Sequence, residues 1–214
     1  MRDASEGGAS VVEVDDAELS SLTDTVTPQG LVAVCHAASP SLEDVVAAAP
    51  RLVVVCAQVR DPGNAGTVIR CADAFGADAV VLTQGSVDMY NPKTVRASVG
   101  SIFHLPVVAE VSLEQATDAL KAAGLTVVAA DGSGTRTLLD LDLTTPIAWV
   151  FGNEAWGLPE EDLARADVVA KVPMWGSAES LNLSTAAAVC LYATAAAQRA
   201  STTAIEVPGA GASS

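Results

Sequence analysis

The sequence predicts an α/β fold: a mainly parallel sheet with helices on both faces. Three observations carry this. Residues 52–59, Leu-Val-Val-Val-Cys-Ala-Gln-Val, form a nearly continuous apolar run, as expected of a central parallel strand buried on both faces. From Arg51 onward such runs alternate with helix-length segments. Gly, Pro, Asn and Ser fall between them, where turns and caps are needed. The chain has 214 residues, half of them hydrophobic, which suits one compact domain, or one with a short appendage, and a full core.

The elements follow in order. Residues 1–20 are acidic and show no period, so disorder or a fragment of structure is expected. Residues 31–35 read as a short strand and 38–41 as a linker. Ser41 or Pro40 then opens a helix over 42–49. After the 52–59 strand, Asp61-Pro-Gly-Asn64 is a turn that starts a helix over 64–75, closed by Gly76. Residues 79–82 are the second strand, and Asn91-Pro92 opens a helix to Ser98. The third strand is expected over 103–108. Leu113, Ala116, Leu120 and Ala123 share one face of a helix ending at Gly124. Strands are expected over 125–130 and 147–151, a short helix over 158–164 and a last strand over 167–172. A long helix spans 183–199, and the Gly/Ala/Ser-rich tail from 207 to 214 is expected to be loose.

The net charge of −15 opposes a general nucleic-acid coat, because phosphate contact needs Lys and Arg. Residues 1–44 hold nine acidic residues and one Arg, a net of −8, which leaves −7 for the rest. A local basic site is therefore still open. Cys35, Cys56, Cys71 and Cys190 have no CxxC spacing, which argues against zinc and a disulfide framework and for reduced thiols. The first residues lack the apolar core of a signal peptide, and no apolar run reaches the roughly 18 residues of a membrane span. A soluble, cytoplasmic protein is expected.

Three segments stand out: Asn64-Ala-Gly-Thr-Val-Ile-Arg70, Phe151-Gly-Asn-Glu-Ala-Trp-Gly-Leu158 and Val172-Pro-Met-Trp-Gly-Ser-Ala-Glu-Ser-Leu-Asn182. Each begins at or near a strand end, where ligands of α/β folds bind. Each also has a plainer reading. A lone Arg on a helix is usually a solvated charge, although Arg70 has Val68, Ile69, Cys71 and Ala72 as neighbours. On a helix, Asn64 and Arg70 point about 120° apart, so they can flank a groove but not pair. Glu154 can cap the short helix after it, and Ser180 or Asn182 can cap the last helix, with Ser184 and Thr185 competing. Asp131-Gly-Ser-Gly-Thr135 lacks the spacing of a dinucleotide or Walker loop, which counts against a nucleotide-dependent oxidoreductase. His36 and His104 are isolated and carry no assigned role.

Taken together, the segments resemble the three signature motifs of the SPOUT class, specifically the TrmH-like (SpoU) ribose 2′-O-methyltransferases, over residues 51–199. Residues 26–33 resemble the connector that follows the small RNA-binding domain of the rRNA-modifying branch. The resemblance implies that most of that domain is missing, with 1–45 its acidic remnant and connector, 46–200 the methyltransferase domain and 201–214 a flexible tail. It also implies a C-terminal deep trefoil knot between Leu125 and Leu191, a homodimer, and S-adenosylmethionine bound in the knot. By motif position the cofactor contacts are Gly152, Val172, Met174 and Leu181, with Ala130, Asp131 and Gly132 as further contacts. Arg70 engages RNA phosphate and helps activate the 2′-OH, with either the phosphate or the Arg itself taking the proton. Asn64, Glu154, Ser180 and Asn182 orient the acceptor and hold the loops. The expected substrate is RNA, rRNA rather than tRNA, with no metal and no membrane. The alternatives are a tRNA ribose methyltransferase and a non-catalytic RNA- or cofactor-binding dimer.

Overall fold

The structure is a computed structural model and describes residues 7–23, 28–36 and 40–205, with side chains to Ser201. The connector at 26–33, the linker at 38–41 and the tail from 207 fall wholly or partly outside the described residues. The chain divides into two compact units, Met1–Ala38 and Ser39–Ser214.

In the first unit, helix α1 (Asp16–Ser21) buries nothing and is held by its cap. Asp15 accepts from the backbone N–H of Glu18 at 2.8 Å, and Glu18 accepts from that of Asp15 at 3.2 Å. The expected strand at 31–35 does not form. Its residues pair with no ladder, and Val34 is fully exposed. An apolar run needs a partner strand to become one.

The second unit contains α2 (Leu42–Ala47), β1 (Leu52–Cys56), α3 (Pro62–Phe75), β2 (Ala79–Thr83), α4 (Pro92–Ser98), β3 (Val107–Val111), α5 (Leu113–Ala122), β4 (Thr126–Ala130), β5 (Arg136–Thr137), β6 (Ile147–Phe151), α6 (Glu160–Leu163), β7 (Val168–Lys171) and α7 (Leu183–Ile205). The seven strands pair in parallel in the order β3-β2-β1-β6-β4-β7-β5. Side chains alternate across β1. Leu52, Val54 and Cys56 share one core with Val68 and Ile69 of α3 and Leu191 of α7. Val53 and Val55 share the other with Val45 of α2 and Leu120 of α5. The expected parallel sheet with helices on both faces is therefore present, and β1 is buried throughout.

Two contacts fix the helices on the site side. Inside the core, Trp149 of β6 donates its indole N–H to Thr194 Oγ1 of α7 at 3.0 Å, which ties the last helix to the sheet. Gly66 lets α3 lie against α4: a Cβ there would stand 2.6 Å from Ala97 Cβ and 3.0 Å from the Ser98 backbone nitrogen. Gly66→Ala is expected to lower stability by about 1–3 kcal/mol through forced separation of the two helices, read as an earlier urea midpoint at unchanged slope.

Several boundaries differ from expectation. β1 stops at Cys56 because Gln58 turns the chain with φ +53°. α3 starts at Pro62, and Asp61 is its cap, accepting from the Asn64 backbone N–H at 2.8 Å. The third strand lies later than 103–108. Ser101–Phe103 is a 3-10 turn and Phe103 is 67 % exposed, so its apolar character does not mark a strand. His104 follows that turn and pairs with Asp73 at 2.9 Å. α6 is confined to Glu160–Leu163, β7 to Val168–Lys171, and α7 runs on past 199. β5 has two residues and no apolar pattern to announce it.

Candidate active site

The register aligns the carboxyl ends of four neighbouring strands: Cys56 with Phe151, Phe151 with Ala130, and Ala130 with Ala170. β6 lies between β1 and β4, although it follows both in the chain, so this row is a topological switch point. All three motif segments leave from it.

Glu154 is the hub of the arrangement. Its carboxylate accepts from the backbone N–H groups of Arg60 (3.2 Å) and Asp61 (3.1 Å) and from the side-chain amide of Asn64 (3.2 Å). Asn64 in turn accepts from Asn182 Nδ2 at 3.1 Å through its own Oδ1. Residues 90 and 118 positions apart thus form one hydrogen-bonded chain across the three segments. Because Asp61 caps α3, the Asn64 side chain is free to make this bridge. Asn182 caps α7 and also joins the chain: Oδ1 accepts from the backbone N–H groups of Ser184 (2.9 Å) and Thr185 (3.3 Å), while Nδ2 reaches Asn64. Glu154 does not cap α6, whose N-terminus is at Pro159.

The loop that presents Glu154 is folded tightly. Asn153 and Gly157 exchange backbone hydrogen bonds at 3.0 and 2.9 Å, with Gly157 in the left-handed region at φ +68°. A Cβ on Gly152 would come within 2.7 Å of the Leu158 nitrogen, so only glycine closes this loop. Asn153 is buried; it donates to the Gln58 carbonyl at 2.7 Å and accepts from the Ala155 N–H at 2.8 Å. Asn153, Gln58 and Arg60 belong to this arrangement although the sequence assigns them no role. The signal available was position for two of them, Asn153 directly before Glu154 and Arg60 directly before Asp61; Gln58, three residues before Asp61, carried none.

Arg70 and Ser180 are exposed and bond to no member of the Glu154 chain. Arg70 has no hydrogen bond or ion pair among the described residues. The expected cofactor contacts lie along the strand-end row: Ala130 ends β4, Asp131 and Gly132 follow it, Gly152 follows β6, and Val172 and Met174 follow β7. Leu181 precedes α7 and is half-buried. The rim fits the cofactor that the resemblance implies. A Cβ on Gly132 would meet nothing within 4 Å, so a ligand can approach that backbone. Val172 packs on the core, Met174 is 38 % exposed, and both offer apolar surface to a nucleoside.

Electrostatics near the hub are those of a carboxylate beside an apolar strand. Burial, with a contribution from Glu154, pushes the Cys56 thiol up to about 12. Burial alone raises Cys190 to about 12, and the half-buried Cys71 is raised for the same reason. Asp61 is held below the usual carboxylate range by the Asn64 backbone N–H, helped by Lys93 at 3.4 Å. The thiolate is the reactive form. Ellman's reagent at about pH 8 should therefore label exposed Cys35 quickly, and Cys56 and Cys190 only after unfolding. Among the described residues, no His, Cys, Asp and Glu cluster able to hold a metal is found, and no helix is long and apolar enough to cross a membrane.

Comparison with known proteins accords with this geometry. Residues 51–192 match the SpoU rRNA Methylase family, and residues 1–41 match the RNA 2′-O ribose methyltransferase substrate binding family. The chain is 39 % identical, over 87 % of its length and 73 % of the relative's, to the 23S rRNA (guanosine(2553)-2′-O)-methyltransferase RlmP of Bacillus subtilis (strain 168). It is 36 % identical, over 77 % of its length and 59 % of the relative's, to a 23S rRNA (uridine(2479)-2′-O)-methyltransferase of Streptomyces viridochromogenes. These two figures, 73 % and 59 %, are the share of each relative that the chain spans. Among solved structures, the AdoMet-bound rRNA methyltransferase from Sinorhizobium meliloti superposes with a TM-score of 0.82 at 34 % identity, covering 90 % of this chain and 74 % of that one.

Proposed function

We propose, from the premise that this chain belongs to the SpoU rRNA methylase family, that it is an S-adenosylmethionine-dependent methyltransferase acting on a ribose 2′-OH of 23S rRNA. The observation that carries this reading is the Glu154–Asn64–Asn182 hydrogen-bonded chain, which joins three distant segments at the ends of β1, β6 and β7. S-adenosylmethionine supplies a methyl group already activated on a sulfonium, so the protein's task is placement. Gly152, Val172, Met174 and Leu181 would hold the cofactor from the ends of β6 and β7 and the start of α7, and Ala130, Asp131 and Gly132 from the end of β4. Glu154, Asn64 and Asn182 fix the relative positions of the loops around the acceptor, with Ser180 beside them. Arg70, the unpaired cation on α3, holds an RNA phosphate next to the 2′-OH, and that phosphate takes the hydroxyl proton and passes it to water as the methyl arrives. In-line placement of this kind is worth many powers of ten in rate.

The finer architecture belongs to the same reading. A trefoil knot between Leu125 and Leu191 is supported by the sheet order and by the close passage of Gly134 against β7, where a Cβ would stand 2.9 Å from the Ala170 backbone. A homodimer is supported by the small residues of α7 and by exposed Tyr192 and Val189 on it. A cytoplasmic location belongs to the same reading. Calorimetry with S-adenosylmethionine, joined to tritium-methyl transfer onto separated 23S rRNA and tRNA, tests the proposal. Label in 23S rRNA is expected; cofactor binding with label only in tRNA, or with none, would overturn it.

A further inference from the structure

Arg60 and Trp156 stand at the rim of the site without a role in the reading above. Of the three tryptophans, Trp149 is 1 % exposed and hydrogen-bonded in the core. Trp156 is 49 % exposed and Trp175 86 %, and both belong to motif loops at the strand-end row. The Arg60 Cζ lies 5.1 Å from the Trp156 ring centroid, within cation–π range. The Arg60 backbone N–H donates to Glu154, so the pair is tied to the same carboxylate that orients Asn64. Lys93, Lys121 and Arg165 are engaged by carboxylates and Arg51 and Arg136 by backbone carbonyls, whereas Arg60, like Arg70, is not. Among the described residues the Arg60 guanidinium has no carboxylate partner. In a chain of net charge −15, a guanidinium left unpaired and laid on a half-open indole beside the site is held ready for an anion. Single-stranded RNA offers both matching chemistries, a base face for the indole and a phosphate for the guanidinium.

We infer that Arg60 and Trp156 form the seat of an unpaired RNA nucleotide flanking the acceptor ribose. The open surface of the indole stacks on the base, and the guanidinium edge contacts its phosphate. This rests on the RNA-methylating reading above. It also explains how so acidic a chain captures RNA: a few placed contacts and stacking replace a broad basic surface.

The test uses the full chain, tritiated S-adenosylmethionine and a 23S rRNA transcript. Trp156→Ala is expected to raise KM for RNA roughly tenfold, with a smaller effect on turnover at saturating RNA, and Trp156→Phe to recover most of the loss. Arg60→Ala is expected to raise KM and to reduce the slope of log Kd against log salt by about 1. Arg60→Lys restores the slope but not the full affinity, because Lys stacks less well. Cofactor Kd by calorimetry is expected to be unchanged in all four variants. Wild-type KM for RNA in both alanine variants overturns the inference alone, as does a weakened cofactor Kd that accounts for the loss. A wild-type chain that neither binds nor methylates the transcript overturns the underlying reading with it.

Discussion

Arg70→Ala is expected to abolish methyl transfer, by about a thousandfold or more in kcat/KM, while the fold and cofactor binding stay intact. The size follows from the role: a charged donor placed against a reacting centre is worth about 10²–10³ in rate when removed singly, and an RNA-phosphate anchor adds substrate binding to that. The separation from stability follows from the structure. Arg70 is exposed and makes no hydrogen bond or ion pair among the described residues, so its loss should move stability by less than about 0.5 kcal/mol. Arg70→Lys keeps the charge but loses the planar fork that grips a phosphate with two N–H groups, so activity should fall between wild type and alanine. Turnover assays with rRNA, calorimetry with S-adenosylmethionine and thermal melts on the same preparations check each part. Wild-type turnover in Arg70→Ala would remove Arg70 from the mechanism.

Glu154→Ala should have the second largest effect, and for a different reason. Three donors lose their acceptor at once: the Arg60 and Asp61 backbone N–H groups and the Asn64 amide. Glu154 lies at the surface, so water replaces the carboxylate and the stability loss stays near about 1 kcal/mol. The catalytic loss is larger, because the carboxylate that fixes Asn64 and the Arg60–Asp61 turn against the second motif loop is gone, and the remaining Asn153–Gln58 contact does not reach Asn64. A misplacement of about 1 Å costs roughly a hundredfold in rate. Glu154→Gln keeps one acceptor oxygen but turns an NH₂ toward groups that themselves donate. It should lose most of the activity while melting within a few degrees of wild type.

The fold was legible where pattern and punctuation agree. The apolar run of β1, the Gly76 stop of α3 and the helix face of Leu113, Ala116 and Leu120 all specify their elements locally. What escaped depends on tertiary partners. Residues 31–35 look like a strand but have no ladder; β5 forms only because β7 runs beside it; Phe103 is apolar yet turned outward. The site divides in the same way. The three segments could be grouped by order and by strand-end position, which the aligned strand ends bear out. The bonds that join them could not be read. Glu154 looked like a cap for the helix after it, but the donors it satisfies are 94 and 93 residues earlier. Asn182 reads in sequence as either a cap or a site residue; in the fold its amide oxygen caps α7 while its NH₂ reaches Asn64. The Arg60–Trp156 stack was invisible for the same reason, since 96 positions of chain separate its members and the sheet brings them together.

A double-mutant cycle on methyl transfer tests most directly whether Asn64 and Glu154 act as one assembled site. kcat/KM for 2′-O-methylation of 23S rRNA would be measured for wild type, Asn64→Ala, Glu154→Ala and the double variant. Residues that act as a unit are strongly non-additive. The double variant is therefore predicted to lose little more than the worse single variant. Losses that multiply across the two sites, or single variants that retain wild-type kcat/KM, would contradict the assembled site.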